Sequence, residues 1–171
     1  MGSRMFRLGL GWQPLPGTLA LARGPVRELS KATGATVGIF VLREGRTLTA
    51  GTVPGELDAV TPMRAGMTFP WTTAAGKILV AGAPDALPLD PPSRAWAREA
   101  ARIRETGFAL DRQEVMDGVC CVAVPLRGRG GAVVAALGAL VDPDRPLPSL
   151  AASVVRTGKV ISAAMQRRPG S

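Results

Sequence analysis

The sequence contains no histidine and no tyrosine, and aromatic residues make up only 4% of it. Without histidine, no Cys–His or Ser–His pair can activate a nucleophile, and the commonest zinc ligand is absent. Acidic residues are also few, and the net charge is +8. The basic residues are scattered and not interleaved with aromatics, which favours a solvated surface over a nucleic-acid-binding face. We therefore expect no catalytic residues, no metal and no cofactor.

Membrane-spanning apolar runs and paired cysteines are missing too. The first ten residues carry arginines where a signal peptide would have an apolar segment, and no apolar run reaches membrane-spanning length. The two cysteines, Cys120 and Cys121, are adjacent, so on a strand they would point to opposite faces and be poorly placed to bond each other. These features predict a reduced, cytoplasmic protein.

What the sequence does contain is enough apolar material for one core. Hydrophobic residues make up 46% of the 171 residues, which suits a single domain. We predict that domain at residues 17–166, with a tag remnant and connector at 1–16 and a short tail at 167–171.

The pattern of residues 107–141 predicts three strands. Residues 108–111 are apolar up to Asp111, and nearly unbroken apolar runs follow at 119–126 and 132–141. A basic, glycine-rich turn separates the two runs, which favours a hairpin of strands buried on both faces. Any chemistry here is expected among the few residues that interrupt these runs.

The remaining pattern predicts helices at residues 18–33, 71–81, 93–106 and 147–165, with a break in the first at Gly24 and Pro25. Strands are predicted at 35–42 and 47–53, with a weak third strand at 57–61. Residues 64–70 are expected to form a loop and the proline-rich residues 82–92 an irregular segment. Because hairpins give antiparallel pairing, the predicted fold class is α+β, a curved, mostly antiparallel sheet with helices packed on it.

Small residues at the start of the second predicted helix form one candidate ligand site. Thr73, Ala74 and Ala75 would present unpaired backbone N–H groups at the positive end of a helix dipole, which can bind a carboxylate without a cationic side chain. The alternative is an ordinary capped helix that packs closely through small residues. Three large side chains nearby would either line a pocket or fill the core: Met63, Met67 and Trp71.

The other candidate site residues lie on the strands of residues 107–141. Asp111 is either a pocket residue or an exposed turn residue. Cys121, on one face with Val119, is either a pocket thiol or a small buried hydrophobe. Gly138 lies inside a strand, where glycine often marks the close approach of a ligand or of backbone.

The chain resembles the effector-binding domain of IclR-type transcriptional regulators in several segments that occur in the family's order. These are FRLG, LSKATGATVGIFVL, TTAAGKILVA, IRETGFALDRQEVMDGVCCVAVPL and GAVVAALGALV. The resemblance covers nearly the whole chain. It implies a GAF-like, ligand-sensing domain without catalysis, which controls a winged helix-turn-helix that precedes it and binds operator DNA.

The same resemblance implies particular partners and residue roles. Ala74 and Ala75 would offer backbone N–H groups to an effector carboxylate, and Asp111 and Cys121 would be polar side chains of the pocket. The chain would begin near the interdomain linker, in residues 1–16, and reach DNA only through the missing N-terminal domain. It would self-associate as a homodimer or dimer of dimers, which agrees with a run of apolar connector residues: Met5, Phe6, Leu8, Leu10 and Trp12.

Two departures from the family pattern bear on the effector. Members that bind small polar acids carry two serines on the last pocket strand, where this chain has Gly138 and Leu140. We expect apolar space to be gained at Gly138 and apolar bulk to be added at Leu140. Residues 82–92 also replace a longer helical stretch, which would remodel one pocket wall. The predicted effector is therefore an aromatic or partly apolar acid.

Two other functions stay open on the residues alone. A GAF-like thiol enzyme would use Cys121, although no histidine is available as its base and no neighbour in sequence plainly lowers a thiol pKa. An interaction module without a ligand would have a pocket filled by its own side chains.

Overall fold

The computed structural model describes residues 16–83 and 93–167. Helix α1 (Pro16–Thr33) leads into the hairpin of β1 (Thr36–Arg43) and β2 (Arg46–Val53), a short 3-10 helix (Glu56–Ala59) and β3 (Thr68–Pro70). Helices α2 (Ala74–Gly82) and α3 (Arg94–Thr106) follow, and then the strands β4 (Ala109–Arg112), β5 (Cys120–Arg127) and β6 (Val133–Val141). Helix α4 (Leu147–Arg167) ends the described chain.

The strands form one six-stranded sheet in the order β3-β2-β1-β6-β5-β4. All neighbouring strands are antiparallel, and shifts in register interrupt the pairs β1–β2 and β5–β6. Such bulges increase the local twist and bend a sheet. The architecture confirms the predicted α+β class and its antiparallel sheet.

Helices cover both faces of the sheet, so each face has its own core. Helices α1 and α4 pack on one face with Val122, Leu137 and Val154 among the buried residues, and α2 and α3 pack on the other with Ile78 and Ile103. Cys120 belongs to the first core and Cys121 to the second, and both thiols are free. The prediction that the two cysteines point to opposite faces is confirmed.

The predicted break in the first helix is wrong, because α1 continues through Pro25. A proline inside a helix removes one backbone hydrogen bond and crowds the preceding turn. Here Ala22, Val26 and Leu29 are all buried against the sheet. Their burial on one face of a continuous helix outweighs the local cost of the proline.

The weak strand predicted at 57–61 is also wrong, because a 3-10 helix occupies Glu56–Ala59. The carboxylate of Asp58 accepts hydrogen bonds from the backbone N–H of Met63 and from the Arg64 guanidinium, which folds the segment back on itself. Arg64 also holds the pKa of Asp58 below its usual range.

The loop predicted at 64–70 ends in a strand that the sequence analysis missed. Strand β3 pairs with β2, with Thr47 opposite Phe69 and Arg46 opposite Pro70. A proline is tolerated there because β3 lies at the edge of the sheet.

Some predictions fall outside the described residues. They are the connector and its apolar residues in 1–15, the proline-rich segment 84–92, and residues 168–171 of the tail. None of the described helices is both long enough and apolar enough to cross a membrane.

Candidate functional site

The N-terminus of α2 is fixed by hydroxyl groups and by one glycine. Thr73 is the N-cap, and its Oγ1 accepts a hydrogen bond from the backbone N–H of Gly76 at 3.1 Å. The hydroxyl of Thr47 on β2 donates to the carbonyl of Pro70 and lies 3.3 Å from Thr73 Oγ1. The backbone N–H of Ala75 lies in the first turn of α2, where the helix itself supplies no acceptor, so it can donate to a ligand.

A cavity opens beside this helix start. It lies on the α2 face of the sheet, and the centres of water-sized molecules can occupy about 70 Å³ of it. Its wall is almost entirely apolar, and Asp111 is the only carboxyl group that the described residues contribute to it. A compact apolar molecule with one or two polar ends matches such a wall.

Most of the candidate site residues line this cavity, and three do not. Those on the wall are Thr73, Ala75, Asp111, Val119, Cys121 and Leu140, together with Met63 and Met67. Trp71 packs instead against Trp96, with ring centroids 4.9 Å apart and the planes 73° from parallel. Ala74 is fully buried in the core beneath the cavity.

The expected space at Gly138 is not there, because the ring of Phe40 occupies it. A Cβ added at Gly138 would lie 2.9 Å from Phe40 Cε2. The sequence analysis missed six of the lining residues: Phe40, Thr61, Pro62, Phe69, Val115 and Met116. Most of them are apolar, and apolar character alone does not distinguish a cavity wall from a core.

Asp111 is buried, and no described residue forms an ion pair with it. Its Oδ1 accepts a hydrogen bond from the backbone N–H of Glu114 at 2.8 Å. Burial raises the pKa of Asp111, and the nearby charge of Glu114 adds to the rise. The carboxyl group therefore holds the loop 112–119 and can also accept a hydrogen bond from a ligand.

The raised pKa of Asp111 predicts a pH-dependent gain in stability for Asp111→Asn. A carboxyl group whose pKa is higher in the folded state destabilises the fold once ionised, and this penalty vanishes below its ordinary pKa, where both states are protonated. Asparagine keeps an acceptor for the Glu114 N–H. By urea denaturation, the free energy of unfolding of Asp111→Asn should therefore exceed that of the wild type by more at pH 7 than at pH 3.5. Asp117→Asn in the same loop is the control, because Asp117 is exposed. An equal gain in the free energy of unfolding for Asp117→Asn would contradict the raised pKa of Asp111.

Lys77 connects α2 to the elements around the cavity. Its side chain is buried, and its Nζ lies 3.0 Å from Glu99 Oε1 on α3 and 2.5 Å from Glu114 Oε2 in the loop. It also donates to the carbonyl of Leu110 on β4 at 3.4 Å. Burial alone would lower the pKa of Lys77, but the two carboxylates more than offset it and the pKa is raised.

Cys121 is not poised as a nucleophile. Its thiol is buried, and burial together with the negative charge of Asp111 raises its pKa far above the ordinary value. Burial also raises the pKa of Cys120. A thiol enzyme needs the opposite shift. Among residues 16–83 and 93–167, no three histidine, cysteine or acidic side chains come together as a metal site.

The chain is similar in sequence to bacterial transcriptional regulators. The family model described as the bacterial transcriptional regulator IclR C-terminal domain matches residues 93–165. The HTH-type transcriptional regulator XynR of Escherichia coli K12 is 34% identical over 132 residues, which cover 68% of this chain and 52% of XynR. This chain carries the C-terminal domain of the IclR family. It spans about half the length of this relative, which is a transcriptional regulator and not an enzyme.

Solved structures show the same fold. The C-terminal domain of E. coli KdgR matches with a TM-score of 0.73 and 24% identity over 86% of this chain and 98% of that one. An IclR homologue from Microbacterium hydrocarbonoxydans, complexed with 4-hydroxybenzoate, matches with a TM-score of 0.80 and 18% identity over 96% of this chain and 75% of that one. The chain therefore has the fold of IclR C-terminal domains, the GAF-like fold that the resemblance implied.

Proposed function

We propose that this effector-binding domain senses a small aromatic acid with a hydrogen-bond donor at the end opposite its carboxylate. The observation that carries the proposal is the cavity itself, where a helix N-terminus and a buried carboxyl group face an otherwise apolar space. The backbone N–H of Ala75 would bind the effector carboxylate, assisted by the helix dipole. Asp111 would accept the hydrogen bond at the other end.

The apolar wall supports an aromatic body over a small polar acid. Leu140, Met63 and Val119 contribute apolar side chains to the wall. Among the described lining residues only Thr61 and Thr73 carry hydroxyl groups, so a small keto acid would find few partners. An aromatic ring would instead replace water against apolar side chains, which is favourable in proportion to the area covered. The 4-hydroxybenzoate of the Microbacterium homologue has this combination of acid, ring and donor.

Asp111→Asn should discriminate between two ligands that differ by one hydroxyl group. Asparagine keeps one oxygen for the Glu114 N–H but replaces the other with an amide NH2, which cannot accept a hydrogen bond. By titration calorimetry, the affinity for 4-hydroxybenzoate should fall about tenfold, while that for benzoate should not fall. Glyoxylate and pyruvate should bind poorly to both proteins. Tight binding of either keto acid with no response to the aromatic acids would exclude the proposal.

The cavity is placed where a bound effector can alter the regulator. The loop 112–119 contributes Val115, Met116 and Val119 to its wall and is joined to α2 and α3 through Lys77. A ligand that favours one position of this loop would shift the protein between conformations. We infer that this shift controls an attached DNA-binding domain in a cytoplasmic homodimer. Sedimentation as a monomer at high micromolar concentration would contradict the dimer.

A further inference from the structure

Two glycines lie opposite each other beneath the cavity. Gly38 on β1 pairs directly with Gly138 on β6. A Cβ added at Gly38 would lie 2.7 Å from Phe40 Cζ, and one added at Gly138 would lie 2.9 Å from Phe40 Cε2. The phenyl ring therefore rests over both backbones, at a distance that only glycine permits.

This ring separates the cavity from the sheet. Phe40 is 4% exposed and lines the cavity wall. Opposite it on β2 lies Thr49, whose buried hydroxyl has no hydrogen-bond partner among the described residues. A buried polar group without a partner is unusual and destabilising. The space over Gly38 and Gly138 is filled by the Phe40 ring, a side chain of the protein itself.

We propose that Phe40, seated on the pair Gly38 and Gly138, is the residue that determines specificity by effector size. The ring sets the depth of the cavity and restricts it to acids with a single ring, so that acids with two fused rings are rejected. This inference rests on the proposed function, and it names the residue that selects among the acids. Shortening Phe40 would open the space above the glycines.

Benzene tests the space itself, without any assumption about the effector. An apolar cavity left by a large-to-small substitution can bind benzene. In Phe40→Ala, a benzene concentration ten times its Kd should raise the melting temperature by about 3 °C. Phe108→Ala is the control, because it removes the same atoms from a partly buried side chain that packs against the core on the opposite face of the sheet. Benzene should raise the melting temperatures of Phe108→Ala and the wild type by less than it raises that of Phe40→Ala, because their cavity keeps the Phe40 ring.

Two acids test the selection by size. By titration calorimetry, 2-naphthoate should bind Phe40→Ala at least tenfold more tightly than it binds the wild type, whereas benzoate should bind Phe40→Ala no more tightly. Phe108→Ala should bind both acids as the wild type does. If Phe40→Ala is too unstable for these measurements, Phe40→Leu removes the ring and keeps a branched apolar side chain, and the same order of affinities is expected.

Gly138→Ala tests the role of the glycine pair. The added methyl group would push the end of the Phe40 ring into the cavity, and benzoate affinity should fall about tenfold. In the double variant Phe40→Ala, Gly138→Ala the ring is gone, so the alanine should cost little or no benzoate affinity. Such non-additivity identifies direct coupling between the two positions.

The outcomes separate this inference from the proposed function. If no acid binds any of the proteins but benzene still stabilises Phe40→Ala more than the wild type and Phe108→Ala, the proposed function fails and the ring still sets the depth of the cavity. Equal binding of 2-naphthoate to the wild type and Phe40→Ala would overturn the inference. So would equal stabilisation of Phe40→Ala and Phe108→Ala by benzene.

Discussion

Replacing Gly76 with alanine should lower the free energy of unfolding by about 3 kcal/mol, near the upper end of the cost of overpacking. A Cβ at this position would lie 2.1 Å from the carbonyl oxygen of Trp71 and 2.5 Å from Thr47 Oγ1. The first neighbour is backbone, and the second is held by its hydrogen bond to Pro70. Neither can yield without moving the N-terminus of α2 away from β2. Urea denaturation at neutral pH measures the change.

Gly24→Ala is the control for this substitution. Gly24 lies inside α1, and a Cβ there would meet no atom within 4 Å. Alanine has a higher helix propensity than glycine, but its Cβ would be crowded by the ring of the following Pro25. These effects oppose each other, so the free energy of unfolding should change by less than about 0.5 kcal/mol. If Gly76→Ala changes the free energy of unfolding as little as Gly24→Ala does, α2 can shift without cost. The helix start could then not hold a carboxylate in a fixed place.

The same helix start illustrates what the sequence could predict. Local rules are sufficient to predict a helix cap, because a threonine just before an apolar helical run favours the N-cap position, and Thr73 occupies that position. Apolar runs bounded by turn residues also predicted the long strands to within one or two residues. The antiparallel α+β class follows from those hairpins.

Features that depend on register could not be predicted in this way. Gly38 and Gly138 are about a hundred residues apart in the chain, and only the pairing of β1 with β6 brings them together. Gly138 alone indicated free space, whereas the ring that fills that space belongs to another strand. Pro25 is a second example, because only the burial of its helix on the sheet explains why the helix continues.

The ion pairs of Lys77 could not be predicted from its sequence motif. The residue belongs to the Gly-Lys pair of a family pattern, but neither of its carboxylate partners is near it in sequence. Glu99 comes from α3 and Glu114 from the loop after β4, and both approach one buried ammonium group. Arg102 reaches Glu99 only at 4.0 Å and is largely exposed. Lys77 is therefore the main positive charge between two carboxylates.

Lys77→Met should lower the free energy of unfolding by about 2 kcal/mol at neutral pH. Removing one partner of a buried pair costs about 3–5 kcal/mol. The loss is smaller here because the side chains of Glu99 and Glu114 are 30% and 48% exposed, so water can solvate them. Because the pKa of Lys77 is raised, its contribution is fully present at neutral pH and lost only when the pH rises through that pKa.

Matched variants distinguish this charge effect from lost packing. Methionine keeps an unbranched apolar chain, and Lys159→Met on the exposed side of α4 should change the free energy of unfolding by less than about 0.5 kcal/mol.

Adding Glu114→Gln to Lys77→Met should restore part of the lost stability, because it removes one of the two carboxylates left facing each other. In the wild type, Glu114→Gln alone should be destabilising. If Glu114→Gln has the same effect in both backgrounds, Lys77 does not hold the loop 112–119 through Glu114, and the proposed route from the cavity to α2 and α3 is wrong.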